Sequence, residues 1–229
     1  IAMLVLFMCV TQIGCKAPAS QTPESKIPKE VTAGVFGDAN CDGIINDQDI
    51  DYVKEIISGK KDATRFSDAN QDGKTDKKDI EKIESIINGN EKELTVVDSK
   101  NRIVTLSKPN SIVILSTSSP AGMLRILGEI DKTVAINKMI TGDPFYPELQ
   151  DRPPVGWPGP DYEAIVKLKP DLVIASANPN FSFDIVDKME PFGIKVLQLD
   201  LNGKPEHYLH ELKVLGQIMG KSEQAMEYV

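Results

Sequence analysis

Apolar positions along the chain fall into two regimes that change at Asn90. Ahead of it, "NDQDIDYVKEIISG" puts Ile50, Val53 and Ile57 on one helical face with Gly59 as the stop. "DKKDIEKIESIINGN" repeats the arrangement with Ile80, Ile83 and Ile87 before Gly89. No helix precedes either one, because "VTAGVFG" carries two glycines and "GKKDATRF" is short and polar. Two such loop–helix units can bury their isoleucine faces only against each other. Beyond Asn90, "LTVVDSKNRIVTLS" reads as a hairpin turning at "DSKN", and "SIVILST" as a buried strand. A helix opened by Pro120 follows, then the strand "TVAIN", then a helix over "DYEAIVKLK" capped by Asp161. The strand "DLVIAS", the helix "FDIVDKMEPFG" and the strand "KVLQLD" come next. "PEHYLHELKVLGQIMG" is a helix and "KSEQAMEYV" begins another. Strands alternating with helices predict a parallel sheet covered on both faces, with ligands at the carboxyl ends of its strands.

The loops ahead of the first two helices carry the clearest chemistry. "GDANCDGIINDQDI" and "SDANQDGKTDKKDI" place oxygen-bearing side chains at loop positions one, three, five, nine and twelve. These are Asp38, Asn40, Asp42, Asn46 and Asp49, then Asp68, Asn70, Asp72, Asp76 and Asp79. Carbonyls of Ile44 and Lys74 stand at position seven, and Gly43 and Gly73 make the sharp turn at position six. A hard cation takes six to eight oxygens at this spacing, so two Ca2+ ions are expected. Four carboxylates in the second loop against three in the first predict tighter binding there.

Residues 35–90 resemble a type I dockerin domain, a small α module of two calcium loop–helix (F-hand) repeats that plugs into cohesin modules of scaffold or surface proteins. The resemblance implies that Asp47, Gln48, Lys77 and Lys78, at loop positions ten and eleven, choose the cohesin. Charge reverses between the two pairs, which argues against two interchangeable binding orientations. Thr75 departs from the usual apolar residue at position eight, which Ile45 supplies in the first loop. A calcium-stabilised spacer without a cohesin partner is the plainer alternative.

Charge and cysteine usage narrow the picture. With 34 Asp and Glu against 26 Lys and Arg the net charge is −8, which excludes the basic face of a nucleic-acid binder. Three cysteines cannot build a disulfide framework. Ile1 to Val10 is an apolar run of signal-peptide length, too short to span a bilayer. "QIGC" resembles a bacterial lipobox with Gln12 in place of Leu, implying a signal over 1–15 and lipidation of Cys15. Plain export with an incidental cysteine is the alternative. Residues 16–34, "KAPASQTPESKIPKEVTAG", read as a flexible tether to the membrane.

The expected strand ends carry Ser116, Ser118, Asn137, Asn178 and Phe181, and the proline-rich connection before "DYEAIVKLK" adds Tyr146 and Trp157, the sole tryptophan. A rigid exposed indole suits a large, partly apolar ligand, although it could equally pack on its neighbours. Glycine-rich phosphate loops and nucleophile–base pairs are absent, so an enzyme is not expected. His207 and His210 read as a solvated helical face rather than a metal site. "VGWPGPDYEAIVKLKPDLVIAS" resembles the N-terminal lobe of ABC-transporter substrate-binding proteins for iron–siderophores, haem and cobalamin, covering residues 94–229. That resemblance implies a Rossmann-like α/β lobe of a class III solute-binding protein. It also implies an ABC permease as partner and Glu163 as the carboxylate that docks on it. The chain opens without Met and stops at "KSEQAMEYV", where the family's linking helix begins, so both ends and the second lobe are expected to lie outside it. The rival reading makes the α/β region cargo, such as an enzyme, in a cohesin-based extracellular assembly.

Overall fold

The computed structural model describes residues 33–178, 184–201 and 205–229. The expected signal segment, Cys15 and the tether through residue 32 lie outside these residues, as does Phe181.

A five-stranded parallel sheet organises the larger unit in the order β6-β5-β4-β7-β8. Its strands are β4 (Ile112–Ile114), β5 (Thr133–Asn137), β6 (Pro154–Gly156), β7 (Leu172–Ser176) and β8 (Lys195–Leu199). Alternation along β4 decides the layers: Ile112 and Ile114 face one side, Val113 and Leu115 the other. The first side packs Leu172, Ile174, Leu197 and Leu199 against α3 (Ser119–Ile126), α6 (Pro205–Ile218) and α7 (Ser222–Tyr228). The second packs Val173, Ala175 and Val196 against α4 (Tyr162–Leu168) and α5 (Ile185–Met189). Burying both faces explains why these strands read as continuous apolar runs. The chain reverses its direction of strand addition at β4, which opens a crevice at the carboxyl ends of β4 and β7.

The loop–helix repeats form α1 (Asp47–Ile57) and α2 (Lys77–Ile87), which pack through Ile50, Val53 and Ile83 with Ala39 and Ala69. Each helix starts in a capping box, Asn46 with Asp49 and Asp76 with Asp79, so the last loop residue also closes the helix. One expectation is corrected here. Ile57 and Ile87 sit beyond the seam at the helix ends and stay exposed. Ile45, in the first loop, packs on both the helical core and the core of the parallel sheet.

The expected boundary between the two units is bridged. Strand β1 (Gly34–Val35) pairs antiparallel with β2 (Glu93–Val97), which pairs with β3 (Ile103–Ser107) in a separate three-stranded sheet. Ala33, at the end of the expected tether, and Val35, the first residue of the expected dockerin-type module, join Val96, Val104 and Leu106 in the core of the parallel sheet. Phe36 and Phe66 meet edge to face at 5.6 Å, over Val97. Gly34 makes this possible, since a Cβ there would lie 2.1 Å from Cζ of Phe66. Strands β1 and β6 were invisible in the hydrophobic pattern because two or three residues establish no period. Pro154 opens β6 at the sheet edge, where its missing N–H costs no ladder bond.

Candidate functional site

The carboxyl ends of β4, β5, β6 and β7 line a shallow cleft, open to solvent, with about 20 Å³ of cavity volume. Ser116 and Thr117 line it from the end of β4, Asn137 and Met139 from β5, and Ser176 from β7. The fourth wall is the turn Gly156–Pro160, closed by Trp157 N–H donating to Gly159 O at 3.0 Å. Trp157 has φ of +128°, a backbone angle that glycine adopts far more readily, and the residue is 47% exposed at the mouth. Asn137 Oδ1 accepts from Met139 N–H at 3.0 Å, and Ser176 Oγ from Asn178 N–H at 3.1 Å. These bonds fix the rim. Ser116 differs: its hydroxyl is buried and has no hydrogen-bond partner among the described residues. Its oxygen has almost no accessible surface, so it stands behind the cleft wall rather than on it.

Of the expected ligand residues, Ser116, Asn137 and Trp157 come together in this cleft. Ser118 instead precedes α3 at its N-cap and makes no capping bond. Asn178 is half-buried on the loop after β7, outside the lining. Tyr146 lies elsewhere, packed against the main core with the Arg125 guanidinium 4.5 Å from its ring centre. Its proximity in sequence to Trp157 was misleading because the proline-rich segment turns back through two 3-10 turns. The prolines at 158 and 160 belong to the proline-rich connection expected to present Trp157, and Thr117 to the expected end of the first parallel strand, whereas Met139 was not foreseen. Its position depends on where β5 ends, which the sequence pattern leaves open by a residue or two.

Glu163 is exposed in the first turn of α4, behind Asp161, whose carboxylate accepts from Ala164 N–H at 3.0 Å. His207 and His210 do not form a solvated face. His207 Nδ1 lies 3.2 Å from Asp200 Oδ2, and His210 Nε2 lies 2.8 Å from Ala33 O. Both are half-buried ties between α6 and its neighbours. Burial pushes the His210 pKa down.

The two acidic loops share one hydrogen-bond plan. Asp38 accepts from Asp42 N–H and Gly43 N–H, each at 3.0 Å. Asp68 accepts from Asp72 and Gly73 at 3.1 and 2.9 Å. Asp49 straps its loop through Asn40 N–H and Asn46 N–H at 3.1 and 2.9 Å. Asp79 does the same through Asn70 and Asp76 at 3.1 and 2.7 Å. Gly43 and Gly73 take φ of +96° and +88°, the left-handed turn that glycine permits. Thr75, the polar residue at position eight, has its hydroxyl 3.0 Å from that of Ser67.

Asp38, Asp49 and Asp79 are buried, and none is ion-paired to a cationic side chain among the described residues. Desolvation pushes Asp38 up to about 6 and Asp49 up to about 7, and raises Asp79 as well. Buried carboxylates without a counter-charge are costly, and an all-oxygen donor set of this kind fits a hard divalent cation that would supply one. Among the described residues no three His, Cys, Asp or Glu side chains are grouped as a metal site. Main-chain N–H groups occupy several of the oxygens a cation would share.

The loops differ in surroundings. Loop two is open to solvent, and Lys78 Nζ sits 3.3 Å from Asp72 Oδ2. Loop one lies against α6, where Gln217 Nε2 donates to Asp38 Oδ2 at 2.9 Å and Lys213 Nζ to Asp42 O at 3.2 Å. Sequence reasoning missed both contacts. Gln217 alone carries a signal, as a polar residue inside the apolar run "VLGQIMG". Asp47, Gln48, Lys77 and Lys78 are all exposed at the starts of α1 and α2.

Comparison with known proteins places the larger unit. A family model described as periplasmic binding protein matches residues 112–229. An uncharacterised ABC transporter substrate-binding lipoprotein of Bacillus subtilis, YvrC, is 28% identical over 138 residues, 59% of this chain and 43% of that protein. A periplasmic solute-binding protein from Veillonella parvula superposes with a TM-score of 0.51 at 24% identity, over 58% of this chain and 43% of that one. The haem-binding protein HmuT gives a TM-score of 0.50 at 19% identity, over 58% of this chain and 40% of that one. These two likenesses show the fold. The Bacillus subtilis relative is described as an ABC transporter substrate-binding lipoprotein and the other two as a solute-binding and a haem-binding protein, none as an enzyme, and the chain spans less than half the length of those it matches.

Proposed function

The chain belongs to the periplasmic binding protein family, and from that premise we propose that it captures a bulky, partly apolar solute and delivers it to an ABC permease. The solute is of the iron–siderophore, haem or corrinoid class. The observation that carries this reading is the cleft at the carboxyl ends of the strands, with the exposed Trp157 on one wall and Thr117, Asn137 and Ser176 on the others. An apolar ring face beside a few hydroxyl and amide groups suits a large ligand with polar edges. The parallel-sheet unit is one lobe of the binding protein, and the solute is clasped between it and a second lobe. Titrating the intact protein with a ferric siderophore, haem and cobalamin tests the reading. One of them should quench fluorescence in the wild type, and Trp157→Phe should remove that part of the quench while weakening binding. A Trp157→Phe variant with unchanged affinity for every bound solute would rule out this cleft.

Glu163 docks the lobe on the permease, as a carboxylate left exposed in a helix's first turn. The protein is exported and held at the membrane through lipid on Cys15, a reading supported by the "QIGC" motif and by the lipoprotein relative.

Residues 35–90 act in the same proposal as a dockerin-type module that takes two calcium ions and binds a cohesin. Asp38, Asn40, Asp42, Ile44 O, Asn46 and Asp49 hold one ion. Asp68, Asn70, Asp72, Lys74 O, Asp76 and Asp79 hold the other. What supports this is the duplicated donor set with its matching hydrogen-bond plan, and the buried carboxylates awaiting a counter-charge. Asp47, Gln48, Lys77 and Lys78 offer the exposed recognition pairs. Calorimetry on the chelator-treated chain should give two calcium ions per molecule. Fewer than one would sink the calcium reading and, with it, the cohesin partner.

A further inference from the structure

The two acidic loops match in sequence and in internal bonding, yet only the first touches the solute lobe through α6. A Cβ at Gly43 would strike Lys213 Cδ at 2.7 Å, whereas one at Gly73 would meet nothing within 4 Å. Gln217 is buried in α6, and its Nε2 shares Asp38 Oδ2 with Gly43 N–H. Lys213, one helical turn earlier, holds the carbonyl of Asp42. Ile45, from the same loop, packs on the cores of both units.

Helix α6 then carries these contacts into the lobe. Its residues Leu212, Leu215 and Ile218 pack in the same core as β4, β7 and β8. Farther along, Glu211 Oε1 accepts from Asp200 N–H at 3.1 Å and from Ser99 Oγ, and His207 reaches Asp200 Oδ2. Asp200 follows β8 at the carboxyl edge of the sheet, the edge on which the cleft lies. The helix spans roughly 20 Å at 1.5 Å per residue. It thus joins loop one to that rim.

We propose that loop one and α6 form one coupling element, so that a divalent cation bound by Asp38–Asp49 stabilises the solute lobe as well as its own module. Gln217 and Lys213 are the positioning residues of this element. The proposal rests on the reading that the loops bind calcium. A ligand that binds only the folded form of a cooperative unit stabilises all of it, and the linkage is reciprocal. Loop two, facing solvent, makes no direct contact with α6, so its ion reaches the lobe only through α1, α2 and the elements the two units share.

The test uses the full chain, chelator-treated, with calcium chloride as the probe. Trp157 is the sole tryptophan and lies in the lobe, so its fluorescence reports lobe unfolding, while calorimetry counts bound ions. Saturation at a thousandfold above Kd should raise the Trp157 thermal midpoint by roughly 8 °C or more. Gln217→Met keeps the volume and removes the donation to Asp38, so it should keep two-site binding and lose most of that rise. Lys213→Met, at a half-exposed position, is the second variant if the first does not fold. Asp68→Asn, in loop two, should keep the share of the rise that loop one supplies and cost less of it than Gln217→Met. Two bound ions with an unmoved Trp157 midpoint would overturn the coupling and leave the calcium reading standing. No bound ion would overturn both. A full rise that survives in both α6 variants would also overturn the proposal.

Discussion

Replacing Glu211 by Gln isolates the electrostatic cost of one buried carboxyl. Glu211 is 2% exposed in the middle of α6, and its Oε2 has no partner among the described residues. Burial pushes its pKa from 4.5 up to about 7, opposed by hydrogen bonds from Ser99 and Asp200 N–H and reinforced by the charges of Asp200 and Asp98. The folded protein therefore holds a proton that the unfolded chain has released between about pH 4.5 and 7. Stability falls as pH rises across that window. At 1.36 kcal/mol per pH unit, the full displacement is worth on the order of 3 kcal/mol at pH 8. Gln keeps one carbonyl oxygen for Ser99 and Asp200 and carries no charge at any pH. Near pH 4.5 the variant should thus be close to the wild type in stability. At pH 8 it should be more stable by up to about 3 kcal/mol, or roughly 6–12 °C in Tm for a chain of this size. Asp38 and Asp49 titrate with the same sign, with raised values of about 6 and 7, so the wild type retains other sources of slope. The assay is therefore the difference between wild-type and variant denaturant midpoints across pH 4.5–8, in chelator. A variant less stable at pH 8, with a difference that does not grow with pH, would refute the reasoning and mean that Glu211 is ionised and well compensated.

Other tests address the remaining interfaces. Gly34→Ala would set a Cβ 2.1 Å from the Phe66 ring, so it should cost roughly 1–3 kcal/mol and lower the unfolding midpoints of module and lobe together. A midpoint change confined to the module would mean that β1 is not a shared element. Asp76→Asn removes one of the four carboxylates of loop two, so the tighter of two calcium steps seen by calorimetry should weaken toward the other. An unchanged tighter step would assign it to loop one instead. Glu163→Ala should abolish permease-coupled uptake while solute affinity stays within twofold, because the exposed side chain lies outside the cleft lining; normal uptake would remove the docking role.

The α/β lobe was legible because a parallel sheet buried on both faces demands unbroken apolar strands. "SIVILST", "TVAIN", "DLVIAS" and "KVLQLD" supply them. The duplicated loops were legible for a different reason. Their ligand pattern and helix caps are local, with each carboxylate bonded to N–H groups within nine residues. Ser116, Asn137 and Trp157 could be named because strand ends gather at a sheet's carboxyl edge. Tyr146 could not be excluded, since the path of a proline-rich connection follows from packing rather than from period. The junction between the units was hidden altogether. Strand β1 is too short to leave a pattern, and its partner β2 lies some sixty residues away along the chain. Gln217 meets Asp38 across 179 residues, and only the folded path of α6 brings them to 2.9 Å. Local periodicity thus determined the elements of each unit and the α/β class of the larger one. How the units share a sheet, a core and loop one was decided by long-range contacts, which exist only once the chain has packed.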